Sequence, residues 1–257
     1  MSQEREVFLT GRGKELSPTK DLYDAIEKMF NHFNSSLFDN SLPSVVITMQ
    51  KQKNVMGYFS PFSWVSNQDQ KKYHEIAINP EYIATFPLIE VLQTLTHELC
   101  HAHQTCFGKP SRTGYHNKEW SQKMLSIGLI PSSTGKPGGK QVGQKMSDYP
   151  EPNGRFIKAC EALVLQNNAT LPVMAISGVV INSSDSISLD IYNEDVQSIL
   201  ETPVCEALGI EITTTVKKKG KQKTKYSCGK CNVNVWGKNN LNIMCADCKT
   251  PFVAQDY

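Results

Sequence analysis

Residues 88–108 read LIEVLQTLTHELCHAHQTCFG. Leu88, Val91, Leu92, Leu95 and Leu99 recur at helical spacing between Pro87 and Gly108-Lys109-Pro110, so the segment predicts one amphipathic helix. Inside it lies His97-Glu98-Leu99-Cys100-His101. Residues i and i+4 share a helical face, so both imidazoles can reach a single ion. Glu98 stands beside them, placed to take a proton from a water that zinc has acidified. An H-E-x-x-H sequence is short, and the helical context is what gives it weight.

A catalytic zinc takes three protein ligands and keeps one position open. The metzincin pattern would need Gly at 104 and His at 107; Gln104 and Phe107 exclude it. Two downstream candidates remain, His116 and Glu119. His116 opens the next helix after a Gly-bearing loop, GKPSRTGY, that lets the chain turn back. Glu119 lies one helical turn further on.

Working outward, Ser17-Pro18 is a helix start, with Ser17 as N-cap. Leu22, Ile26, Met29, Phe30, Phe33 and Leu37 carry a helical period that ends near Asp39-Asn40. Strands are expected at 44–49, 55–60 and 73–78, with a polar loop at 66–72 and a stop at Pro80. After the 88–107 helix, another should run from His116 or Asn117 to Ile127, with Trp120, Met124 and Ile127 facing inward. Residues 132–154, rich in Gly, Pro, Ser and Lys, read as a loop or linker. A short helix is expected over 155–166. Residues 170–215 hold β-like runs with no legible chemistry.

HELCHAHQ at 97–104, followed by His116 in GYHNKEW, resembles the SprT-like (Spartan-related) metalloprotease family. NVMGYFS at 54–60 and HEIAINPEYI at 74–83 resemble that family's two strands before the catalytic helix, and the likeness covers residues 17–130. It implies a zinc-dependent endopeptidase with His97, His101 and His116 as ligands and Glu98 as general base. Spacing and resemblance together favour His116 over Glu119. Family members act on proteins bound or crosslinked to DNA, and some are activated by DNA. The resemblance therefore implies protein substrates, DNA as a partner, a role in DNA–protein crosslink repair and a cytoplasmic, nucleoid-associated location. Bacterial and phage members resemble this chain further, through a C-terminal zinc ribbon.

Cys228-Gly-Lys-Cys231 and Cys245-Ala-Asp-Cys248, thirteen residues apart, present four thiolates at the spacing of a structural zinc site. The intervening VNVWGKNNLNIM reads as strand, turn, strand. So small a unit has almost no apolar core, and metal must supply its stability. Residues 213–257 carry nine lysines against Asp247 and Asp256, a net +7, which leaves −5 on the rest. Lys217, Lys218, Lys219, Lys221, Lys223 and Lys225 precede the ribbon and can neutralise phosphates, while Trp236, if exposed, can stack on a base. The competing reading makes Trp236 the ribbon's core and the lysines a solvated linker.

Four further cysteines, at 100, 106, 160 and 205, are scattered. Cys100 and Cys106 read as buried small residues. His103 should point away from the His97–His101 face, and His32 and His74 have no partner legible in the sequence. Tyr58 and Tyr115 either pack or stabilise a developing oxyanion. A substrate strand is expected to pair along 73–78 as an edge strand.

The chain's 257 residues, 39% apolar and 20% charged, have an ordinary globular composition that excludes collagen, coiled coil and wholesale disorder. No apolar run approaches the roughly twenty residues of a membrane span. The N-terminal MSQEREVFLTGRGKEL lacks the apolar core of a signal peptide, so a reducing compartment is expected. The expectation is an α+β, zincin-like fold with two zinc ions, one catalytic and one structural. Its parts are an N-terminal arm (1–16), a metalloprotease domain (17–131), a linker and α/β extension (132–215), and a basic linker with zinc ribbon (216–257). The rival functions are a non-catalytic nucleic-acid-binding adaptor and a metal-dependent hydrolase acting on something other than protein.

Overall fold

The computed structural model describes residues 17–166, 171–173, 175, 179–181, 196–204, 212–214 and 224–255. The expected arm at 1–16, Cys205 and the lysines at 217, 218, 219, 221 and 223 lie outside them. The chain divides into two compact units, Met1–Thr213 and Thr214–Tyr257. Among the described residues no helix is long and apolar enough to cross a membrane.

In the first unit, helix α1 (Pro18–Phe38) buries the expected stripe of Ile26, Met29, Phe30, Phe33 and Leu37. The Ser17 hydroxyl does not cap it. Asp21, one turn in, instead accepts from the Ser17 backbone N–H at 2.8 Å. Asp39 ends the helix in the left-handed region at φ 54°, and the buried Asn34 amide brackets Leu42 through both its N–H and its C=O. Every polar atom of that buried side chain is thereby spent on fixing the turn.

Strands β1 (Val46–Met49), β2 (Gly57–Val65) and β3 (Lys72–Ile78) form a sheet in the order β1-β3-β2. β1 runs parallel to β3 and β2 antiparallel to it. β3 is therefore the central strand, which overturns its expected role as the substrate-binding edge. The run His74–Ile78 is buried without a break, as a strand covered on both faces requires. β2 is an edge, and it outruns its expected end at Ser60. A register shift between Ser60 and Trp64 absorbs Pro61 and Phe62, the latter at φ 53°.

After the short helix α2 (Pro80–Ile83), α3 (Leu88–Phe107) lays Leu88, Val91, Leu92, Leu95 and Leu99 into the core. α4 (Lys118–Ser126) returns against it and buries Trp120 and Met124, with Ile127 just beyond. The expected loop at 132–154 is only partly a loop. β4 (Leu129–Ser132) pairs antiparallel with β5 (Ser147–Pro150), and the Gly-rich segment is the connection between them. β5 escaped the sequence reading because it is four residues long and polar, SDYP, with no alternating apolar pattern.

Helix α5 (Arg155–Leu165) takes the expected position and places Phe156, Ala159, Cys160 and Leu163 in the same core as α1. Beyond it come β6 (Val179–Ile181), α6 (Val196–Glu201) and β7 (Ile212–Thr214); β6 pairs with β7, and Leu200 of α6 joins the core. Phe33 and Phe156 stack with ring centres 6.0 Å apart, both fully buried. Phe33→Ala should therefore cost about 3–5 kcal/mol of unfolding free energy. Denaturant titration of the full chain checks this, and a loss below about 1 kcal/mol would contradict this packing.

The second unit is one three-stranded sheet in the order β10-β8-β9, from β8 (Thr224–Cys228), β9 (Asn234–Gly237) and β10 (Phe252–Gln255). The expected strand, turn, strand over 233–244 holds only for its first half. β9 pairs with β8, and residues 241–243 form no strand. The Tyr226 hydroxyl explains why: it donates to Lys238 C=O at 2.6 Å and accepts from Leu241 N–H at 2.9 Å, holding this segment as a loop.

Candidate metal centres

α3 presents His97 and His101 on one face, and the α3–α4 loop brings His116 to them. Asn117 fixes this return. Its side-chain oxygen caps α4 by accepting from Trp120 N–H at 3.0 Å and also accepts from Gln104 of α3 at 2.7 Å, while its amide donates to Lys109 C=O at 3.0 Å. A single side chain thus ties the end of α3, the loop and the start of α4. The result is a tight triangle: His116 Nε2 lies 3.1 Å from His101 Nε2 and 3.3 Å from His97 Nε2.

That spacing fits one tetrahedral ion. Nitrogens about 2.0–2.1 Å from a zinc at tetrahedral angles stand about 3.3 Å apart. Trp120, fully buried, floors the triangle, with ring centres 4.9, 5.3 and 4.4 Å from His97, His101 and His116. Burial and the two neighbouring rings push His101 down to about 2; burial and His97 push His116 down to about 4. Both rings are therefore held neutral, as a metal ligand must be. Burial also works against charge on His97, but the carboxylate of Asp148 outweighs it and raises that ring.

The alternative ligand, Glu119, is turned away. Both its oxygens accept from Lys109 N–H, at 3.0 and 3.1 Å. It lies so close to Gly108 that a Cβ there would sit 1.5 Å from Glu119 Oε1. Glu98 does join the site: it is buried beside His97, and burial raises its carboxyl, opposed by His97 and by a hydrogen bond with the Phe59 backbone of β2. The triangle and Glu98 open into a cleft of ≈ 1150 Å³ walled by Gly57, Tyr58 and Phe59 of β2 on one side and Gln144 to Asp148 on the other.

Two partners of the histidines went unseen in the sequence. Asp148 of β5 meets His97 Nδ1 through Oδ2 at 2.8 Å. Gly143 exchanges backbone hydrogen bonds with His116, at 2.8 and 3.0 Å, and its carbonyl lies 3.3 Å from His116 Nδ1. Neither carries a sequence signal, because both sit in the Gly-rich stretch and contribute one atom each.

The remaining assignments divide. His103 packs on Phe38 and Phe107, away from the triangle, as expected. His32 and His74 do have partners: His32 Nε2 meets Ala159 C=O at 2.8 Å, and His74 Nδ1 accepts from Phe62 N–H at 3.2 Å. Cys100 is buried, but Cys106 is exposed, with its sulfur 3.7 Å from His74 Nε2. Tyr58 and Tyr115 both line the cleft; partial burial, then Glu75, raise the Tyr58 phenol.

In the second unit the four sulfurs of Cys228, Cys231, Cys245 and Cys248 lie within 4.8 Å of one another. Cys231 Sγ to Cys245 Sγ is 3.8 Å, the edge of a tetrahedron with metal–sulfur bonds of about 2.3 Å. The two knuckles have the same backbone design. Asn232 N–H donates to Cys228 C=O and Lys249 N–H to Cys245 C=O, both at 2.9 Å. Asn232 and Lys249 take left-handed φ values of 58° and 52°. The Thr250 hydroxyl, then the Cys231 and Lys230 amides, lower the Cys228 thiol to about 6, which favours a thiolate. The described residues thus hold two clusters suited to zinc, one of three histidines and one of four cysteines.

A family model, the SprT-like family, matches residues 26–136. The chain is also 36% identical over 59 residues to an uncharacterised protein encoded in the mucB 3′ region of Salmonella typhimurium, an alignment that covers 23% of this chain and 80% of that protein. This chain belongs to the SprT-like family. No solved structure matches it. The SprT-like region holds α1 from Ile26, the three-stranded sheet, the histidine triangle and Glu98, and it ends before Gly143, Asp148 and the cysteine cluster.

Proposed function

We propose that this protein is a zinc-dependent endopeptidase that cleaves proteins bound or crosslinked to DNA. The convergence of three histidines, with His116 Nε2 3.1 Å from His101 Nε2 and 3.3 Å from His97 Nε2, beside a buried carboxylate and at the floor of an open cleft, carries this reading. His97, His101 and His116 would hold the ion. Bound there, zinc supplies Lewis acidity toward a peptide carbonyl and acidifies water.

Glu98 takes the proton from the attacking water and returns it to the leaving amine. Burial raises its carboxyl, which strengthens it as a proton acceptor. Substrate lies extended along β2, whose outer edge has no strand partner among the described residues and whose Gly57–Phe59 segment borders the cleft. Gly57 keeps that wall thin: a Cβ there would meet Ala77 C=O at 2.9 Å and the Thr94 methyl at 3.0 Å. Tyr58 and Tyr115 are placed to meet the substrate backbone across the cleft.

The cysteine cluster acts as a structural zinc ribbon, and its sheet supplies a nucleic-acid-facing surface. Tyr226, buried, fills the ribbon's small core, whereas Trp236 is 60% exposed and stands opposite Lys225 in the β8–β9 register. An exposed indole beside a lysine suits base stacking with phosphate neutralisation. The same surface would serve an adaptor without catalysis, but an adaptor has no use for a buried Glu98 at the floor of an open cleft.

Glu98→Gln should keep the fold and bound zinc and abolish cleavage of a DNA-bound protein substrate. Retained proteolysis in that variant would overturn Glu98 as the base. Independently, Trp236→Ala should weaken binding to single-stranded DNA by about five- to a hundredfold, the worth of one stacked base. Unchanged affinity, read by fluorescence anisotropy, would place DNA elsewhere.

A further inference from the structure

We infer that Asp148 is a positioning residue of the histidine centre, and that the working metal site therefore extends through β5, past the end of the SprT-like match at residue 136. The inference rests on the reading of His97, His101 and His116 as metal ligands.

A histidine ligand needs its metal-facing nitrogen free of a proton, so the other nitrogen must carry it. Asp148 Oδ2, 2.8 Å from His97 Nδ1, accepts that proton's hydrogen bond and so leaves Nε2 as the ligand atom. The same carboxylate makes the ring a stronger donor and restrains its rotation. Both side chains are largely sealed from solvent, at 13% and 5% exposed, so water does little to weaken the bond.

The fold itself gives the carboxylate no other employment. Asp148 Oδ1 is buried without a hydrogen-bond partner among the described residues. β5 is held to α3 by its backbone instead: Gln93 Nε2 donates to Asp148 C=O at 2.8 Å, one turn before His97. β5 is also held to β4 through the Pro131–Asp148 register. Neither restraint uses the side chain. A buried, half-satisfied carboxylate is a net cost to folding, so an apolar residue would pack here at less expense. The bond to His97 is what the charge serves. Gly143 treats His116 alike, its carbonyl facing Nδ1, so two of the three histidines take their outer partner from the 143–148 segment.

The test is a chelator competition on the full chain, titrating zinc out of wild type, Asp148→Ala and Asp148→Asn, with folding followed by circular dichroism. Asp148→Ala should weaken the histidine site by about ten- to a hundredfold and leave the cysteine site unchanged. Asp148→Asn keeps a neutral acceptor for His97 and should lose less. If Asp148→Ala fails to fold, the near-isosteric Asn variant decides alone. Wild-type affinity at the histidine site in folded variants would overturn the positioning role and leave the metal-site reading intact. A wild-type protein that binds no zinc at the histidines would overturn both.

Discussion

Three imidazole nitrogens aimed at one point are the constraint on which the first unit depends. Without a shared cation their lone pairs repel, and burial against Trp120 opposes charging the rings. The surrounding architecture reads as a set of devices that enforce this arrangement. α3 supplies two rings on one face. Asn117 folds α4 back to deliver the third. β4 and β5 then close the outer side with Asp148 and the Gly143 carbonyl. The apolar stripe from Leu88 to Leu99 anchors α3 in the core and so pays for holding the polar face in place.

Much of this was legible in the sequence because it rests on local rules. The apolar period fixed α1 and α3 to within a residue or two, and the i, i+4 spacing put His97 and His101 together. His116 and Glu119 could not be separated by spacing alone, since both lie near the start of α4. Their separation depends on Gly108, whose missing side chain lets Glu119 reach the Lys109 amide. That is a tertiary fact with no periodic trace.

The misread parts share a cause. The sequence does not show which strand is central, and the sheet order inserts β3 between β1 and β2. The unbroken burial of His74–Ile78 is a tertiary fact, since the sequence there, HEIAI, opens on two polar residues. β5 is too short and too polar to announce itself, and Asp148 gains meaning only when Gln93 draws β5 onto α3. In the ribbon the knuckles followed directly from Cys spacing, but the strand pairing turned on the Tyr226 hydroxyl, which holds 238–241 as a loop. Tyr226 also settles which aromatic fills the core, leaving Trp236 at the surface.

In the proposed function, three histidines of the SprT-like region bind a zinc ion separate from that of the four cysteines. Metal analysis of the purified full chain, for wild type and His116→Ala, distinguishes the two sites. Two zinc ions per wild-type chain and one in the variant are expected, with the fold retained. One zinc in the wild type, unchanged by His116→Ala, would leave the ribbon alone as a metal site and contradict the account.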